Sequence, residues 1–183
     1  MPVNQIAIVA SPDGSGYRLE AVQWLPRPRE QVFAFFSDAF QLQTLTPPHL
    51  HFSVLTPPPI HLEAGALIDY RLRLCGWPLR WQSRIDAWQP PRRFIDVQTR
   101  GPYRRWHHEH LLEEFDGGTM CRDIVDYDVP GGWLAHRLFV RPNLLKIFAF
   151  RQRKLIELCI TPSGPLAQVE PRAIAGVWSQ VVP

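Results

Sequence analysis

Lysine is almost missing from this chain. Only Lys146 and Lys154 occur, so arginine carries nearly all the positive charge, and the net charge is only +3. The arginines are scattered rather than run together, which argues against a nucleic-acid surface, since that needs clustered cations. Cysteine is scarce too: Cys75, Cys121 and Cys159 are far apart and odd in number. With no C-x-x-C pair there is no zinc-ribbon or dithiol signature, and buried free thiols in a reducing compartment are expected. No apolar run approaches the ~18–20 residues of a membrane helix. The opening segment shows no basic stretch before "IAIVA", so no signal peptide is read and a cytoplasmic protein is expected. A phosphate loop is also lacking, because Gly14-Ser15-Gly16 feeds a strand pattern and not a helix.

What is present is ordinary soluble composition: 183 residues, 45% hydrophobic and 20% charged, enough for one domain with a sizeable core. Alternation predicts a strand over Tyr17–Leu25. Pro26 and Pro28 end it, and Pro28 suits the first turn of a helix, where Val32, Phe33 and Phe36 fall at helical spacing. A second short helix is expected over Phe40–Leu45, stopped by "TPP".

The period then changes to two. Strands are expected over Leu50–Leu55, Ala66–Leu74, Leu79–Trp88 and Arg92–Arg100. In the second of these Ile68, Tyr70, Leu72 and Leu74 oppose Asp69, Arg71 and Arg73; in the third Trp81, Ser83 and Ile85 oppose Arg80, Gln82 and Arg84. Two more strands come from "GPYRRWHHEHLLEEFDGGTMCRDIVDY". A final helical region, "WLAHRLFV" and "NLLKIFAFRQRKLIELCI", carries Leu144, Leu145, Ile147, Phe148, Leu155 and Ile156 in one apolar stripe; Leu145, Phe148 and Ile156 are expected to bury against the sheet. Pro142 should split it near Arg141, while Arg151, Arg153 and Lys154 suit the negative end of its dipole. Residues 1–16 read as an N-terminal extension, 17–160 as the domain and 161–183 as a Pro/Gly-rich tail; no internal repeat is present.

The segments "FAFFSDAFQLQTLTPP", "WQSRIDAWQPPRRFIDVQTRGPYRRWHHEHLLEEFDGGT" and "DIVDYDVPGG" resemble the bacterial polyketide cyclase/dehydrase-like, CoxG-type branch of the START-like SRPBCC superfamily. The resemblance spans roughly Tyr17 to Leu158. It implies an α+β helix-grip fold, a curved antiparallel sheet wrapped around a long C-terminal helix with an internal cavity. That superfamily hosts carriers, receptors and enzymes, so the fold does not fix the activity.

The histidine-rich stretch carries the candidate site. "DGGT" suggests a two-residue loop at Gly117-Gly118, both with positive φ. Leu112 then faces Asp123, His110 faces Val125 and His108 faces Tyr127. A period of two puts Trp106, His108, His110 and Leu112 on one face with Cys121, Asp123, Val125 and Tyr127, and the more charged face goes to solvent. In "RRFIDVQTR" the resemblance turns Phe94, Asp96 and Gln98 inward, while periodicity favours Ile95 and Val97; both remain open. Histidine and aspartate buried in a cavity must hydrogen-bond each other or a polar ligand.

The expected cavity is therefore Tyr70, Trp81, Phe94, Trp106, His108, His110, Asp123, Tyr127 and Phe148. It would hold an apolar small molecule such as a lipid, polyketide-like or isoprenoid compound. The alternatives are a purely structural network, an acid–base enzyme using His108, His110 and Asp123, and a protein-interaction role. No nucleophile is identifiable, and Cys121 reads as an inert thiol. His-x-His occurs at His49/His51 and at His108/His110, but only Asp123 offers a third ligand nearby, so no metal and no cofactor are expected.

Overall fold

The computed structural model describes residues 4–74 and 76–160. Eight strands form one antiparallel sheet in the order β1-β2-β8-β7-β6-β5-β4-β3. These are β1 (Gln5–Ala10), β2 (Tyr17–Leu25), β3 (Ser53–Val54), β4 (Leu67–Leu74), β5 (Trp77–Gln89), β6 (Arg93–Arg100), β7 (Arg105–Phe115) and β8 (Gly118–Asp128). Helices α1 (Arg29–Phe36) and α2 (Gln41–Thr44) lie between β2 and β3. A short α3 (Gly132–Ala135), a π-helical turn (His136–Val140) and the long α4 (Arg141–Ile160) follow β8. This is the helix-grip architecture. Among the described residues, no helix is long and apolar enough to cross a membrane.

Several expectations are corrected. Residues 5–10, expected within an N-terminal extension, form the edge strand and pair with β2 from Tyr17 to Val22. The stretch from Leu50 to Leu55 yields only a two-residue strand, because Pro47 and Pro48 set up a 3₁₀ turn over Pro48–Leu50 that ends on His51 in the left-handed region. The expected tail, 161–183, lies outside the described residues.

The β7–β8 loop is Asp116-Gly117, with φ of 49° and 69°, as a type I′ turn requires at both central positions. Gly118 is instead the first residue of β8; a side chain there would collide with the Leu25 carbonyl and the Trp24 ring. Leu112 therefore faces Cys121, His110 faces Asp123 and His108 faces Val125. The register differs from expectation by two residues. An even displacement keeps every side chain on its face, so His108, His110, Asp123 and Tyr127 all turn inward and are buried.

Pro142 has no N–H for the carbonyl four residues back, and its ring crowds that turn. The helix opens into the π turn immediately before α4. The buried face of α4 is Leu144, Phe148, Arg151, Leu155, Leu158 and Cys159. Leu145 and Ile156, expected to bury, are only half-buried. The helix lies closest to β2 and β1, and two reciprocal amide contacts fasten it there: Gln23 Nε2 donates to the Gln152 carbonyl at 2.8 Å, and Gln152 Nε2 to the Val22 carbonyl at 3.1 Å. At its C-terminal end, Arg27 donates to the Cys159 carbonyl at 2.6 and 3.1 Å, satisfying an orphan acceptor with a cation where the dipole is negative.

Two core clusters result. One joins α1 and the α4 C-terminal half to Phe94, Leu112 and Cys121; the other joins the α4 N-terminal half to Leu19, Val125, Tyr127 and Val129. A third, built on Ala39, Ile68, Tyr70 and Ile85, lies on the β4–β5 side. Because α4 leans toward β1 and β2, it leaves this far side of the sheet uncovered, and a cavity opens there.

Phe148 is 4% exposed, and Phe148→Ala should destabilise by about 3–5 kcal/mol in urea unfolding. His136 tests the second cluster. Its Nε2 lies 2.9 Å from the Tyr127 hydroxyl and its ring stacks on Tyr17, while burial and Arg141 hold its pKa below the ordinary 6.5. A depressed histidine contributes stability that is fully present above its unfolded value and is lost as pH falls from there through the lower folded-state value. The stability difference between wild type and His136→Asn should therefore be larger at pH 7.5 than at pH 5.

Candidate functional site

The cavity encloses about 200 Å³. Its sheet wall is Ile68, Tyr70, Leu72, Trp81, Ser83, Ile85, Phe94, Asp96, Trp106, His108 and His110; α4 supplies Leu144, Ile147, Phe148 and Arg151. The α1–α2 region closes one side with Phe36, Ala39, Leu42 and Leu45, and the β6–β7 loop adds Pro102 and Tyr103. Of the residues expected in the wall, Tyr70, Trp81, Phe94, Trp106, His108, His110 and Phe148 line it. Asp123 and Tyr127 do not: Asp123 lies behind the two histidines, and Tyr127 is spent in the second core cluster against His136. The competition in β6 resolves toward Phe94 and Asp96, which line the cavity, although Ile95 is buried too. Gln98 instead donates to the Tyr103 carbonyl at 2.7 Å and secures the loop.

Adjacent strands build the polar wall. Asp96 pairs with His108 across β6–β7, and His110 pairs with Asp123 across β7–β8. Each imidazole thus sits between two carboxylates. His108 Nε2 meets Asp123 Oδ1 at 3.2 Å and its Nδ1 lies 3.5 Å from Asp96 Oδ2. His110 Nε2 meets Asp96 Oδ2 at 3.3 Å, and its Nδ1 lies 2.7 Å from Asp123 Oδ1 but off the N–H axis. The rings are 3.8 Å apart, and Phe94 stacks on the outer face of His110 at 4.0 Å. Ser83 Oγ donates to Asp96 Oδ1 at 3.3 Å and accepts from Trp81 Nε1 at 3.0 Å. From α4, Arg151 places Nε 3.7 Å from Asp123 Oδ2, with its guanidinium over the Phe36 ring.

Burial by itself would raise both carboxylates. Arg151 and the histidines outweigh it and hold Asp123 well below the usual range; His110, His108 and Ser83 hold Asp96 below its ordinary value. Burial and the neighbouring His110 push His108 down, whereas at His110 the two carboxylates overcome burial and push it up. Burial raises the Cys121 thiol well above its ordinary value and the Cys159 thiol to about 11, so neither is a thiolate nucleophile. The other pair, His49 and His51, is exposed and does not line the cavity.

Sequence reasoning missed Arg151 and Ser83. Arg151 reads as a dipole partner, yet its spacing of three and four from Phe148 and Leu155 places it on the buried stripe. Ser83 stands on the face shared with Trp81 and Ile85, the signal that would have found it.

Residues 25–148, more than half the chain, match the family described as polyketide cyclase / dehydrase and lipid transport. The chain belongs to this family. No curated protein matches the sequence. Among solved structures it is similar to a protein from Arthrobacter aurescens at 14% identity and TM-score 0.64, covering 90% of this chain and 96% of that one. It is similar to an aromatase/cyclase from a Streptomyces species at 13% identity and TM-score 0.60, covering 84% and 93%. A nucleoside-diphosphate sugar epimerase from Corynebacterium glutamicum is 28% identical at TM-score 0.59, over 75% of this chain but only 28% of the larger protein. The first two likenesses concern the fold; the family match is the one made on the sequence of this chain.

The Arg151–Asp123 contact should behave as a coupled pair. Arg151→Met strands a buried carboxylate and is expected to cost about 3–5 kcal/mol. In urea unfolding, the Asp123→Asn/Arg151→Met double variant should recover more than half of that loss.

Proposed function

We propose that the chain binds an apolar small molecule, of the lipid, polyketide-like or isoprenoid kind, with one oxygen function turned toward Asp96, His108 and Arg151. The supporting observation is the asymmetry of the cavity: largely aromatic and aliphatic walls, with Ser83, Asp96, His108, His110 and Arg151 gathered into one polar network. Apolar burial at about 25 cal/mol per Å² makes the walls the main source of affinity. The polar side orients, because a buried group left unpaired costs roughly 1–3 kcal/mol and penalises a reversed pose. The family description, which includes lipid transport, agrees with such a cargo.

A second reading is acid–base catalysis of cyclisation or dehydration, the class to which the Streptomyces neighbour's name belongs. His108 favours it: its ring reaches the cavity surface, and burial lowers its pKa so that a neutral imidazole is available as a base. In that role His108 takes the proton, and Asp123, on its other nitrogen, holds the resulting cation.

The binding reading is tested by comparing an oxygenated fatty acid or aromatic polyketone with a plain hydrophobic dye. His108→Phe should weaken the oxygenated ligand more than the dye in fluorescence titrations. Equal losses for both would make His108 structural. Steady conversion of the polyketone, abolished in His108→Gln, would move the assignment to the enzyme.

A further inference from the structure

Asp96, His108 and His110 each bring one donor atom to a single small volume, all within 4.8 Å of one another. From Asp96 Oδ2 it is 3.5 Å to His108 Nδ1 and 3.3 Å to His110 Nε2. An ion held at about 2.0–2.1 Å in tetrahedral geometry has ligand atoms about 3.3–3.4 Å apart. Parallel imidazoles have lone pairs that never meet at one point; these rings are inclined by 38°. We propose that Asp96, His108 and His110 form a binding site for a divalent first-row transition-metal ion, opening on the cavity.

The outer partners match the chemistry such an ion needs. A neutral imidazole that ligates through one nitrogen carries its proton on the other, and a carboxylate there fixes tautomer and orientation. Asp123 Oδ1 makes that hydrogen bond with His108 Nε2 at 3.2 Å, and it lies 2.7 Å from His110 Nδ1, where a small turn of the ring would bring the N–H onto it. Asp123 does not reach the cavity, while the three ligating residues do. The two sides of the imidazole pair are thus different: a closed carboxylate behind, held by Arg151 at 3.7 Å, and an accessible one in front, oriented by Ser83 at 3.3 Å.

This division also resolves a proton conflict. Each neutral ring has one N–H for two carboxylates. If both protons go to Asp123, both lone pairs face Asp96, and a cation between them would satisfy all three donors. Two nitrogen ligands and one oxygen ligand suit zinc, cobalt or iron(II) better than magnesium or calcium. The ion, two carboxylates and Arg151 together leave one excess positive charge. A fourth ligand from the cavity side is therefore an anionic oxygen, such as an enolate, phenolate, carboxylate or hydroxide. Such an ion would serve a carrier and an enzyme alike.

Cobalt(II) is the probe. The full-length protein, stripped with chelator and dialysed, is titrated with cobalt(II) by visible absorption and calorimetry. Binding should saturate at one ion per chain, with two exchangeable imidazole N–H resonances shifted by the paramagnetic ion. Asp123→Asn should weaken binding ~10–100-fold without changing the stoichiometry, as for an outer partner. Asp96→Asn should weaken it further than Asp123→Asn, while still taking up a hydrophobic dye, which shows that the cavity is intact. Replacing the exposed pair, His49→Ala with His51→Ala, should leave binding unchanged. Non-saturable uptake, no shifted imidazole protons in the wild type, or loss of binding in the His49/His51 variant would overturn the site. The wild-type arm decides even if Asp96→Asn fails to fold.

Discussion

Two carboxylates, two imidazoles and a guanidinium share one desolvated volume, and each is tolerable there only because of the others. Asp123 alone in that position would be costly; with Arg151 and both histidines around it, it stays ionised. The network also joins the fold together. Asp96 comes from β6, the histidines from β7, Asp123 from β8, and Arg151 from α4. Sliding any of these strands by one residue would send a charge into the apolar core and a hydrophobe to solvent. The cluster therefore acts as a register lock, and the long helix cannot rotate about its axis without removing the cation from Asp123.

The cavity follows from how the helix is seated. Gln23 with Gln152, and Arg27 with the end of α4, hold the helix over the β1–β2 half of the sheet. The wide β4–β6 half then lies largely beyond the reach of α4, and α1, α2 and the Pro102-Tyr103 loop close it only in part. Polar and apolar chemistry meet where the two halves join, along β6 and β7. A single fold decision thus creates both the space and the polar wall that faces it.

Much of the architecture was legible in one dimension. Strand β2 and the start of α1 follow directly from alternation, Pro26 and Pro28. The inward turn of His108, His110 and Asp123 survived an incorrect loop assignment because the displacement was an even number of residues. Where legibility failed, a non-local contact was responsible. Gly118 reads as a hairpin-loop residue but opens β8, and it is a glycine because the β2 carbonyl of Leu25 approaches it. Residues 5–10 have little burial of their own and join the sheet only because β2 presents a free edge.

By itself, the sequence determined the order of elements from β2 to α4, their periods, the break at Pro142 and which face of β7 and β8 turns inward, since these depend on local sterics and side-chain alternation. Only the tertiary structure decided that Asp96, rather than Asp123, faces the cavity beside the histidines, and that Arg151 reaches across to hold Asp123. Those pairings join residues of four separate elements, and which carboxylate lies in front of the imidazoles and which behind depends on sheet register, a bulge in β5 and the seat of α4, none of which any local pattern encodes.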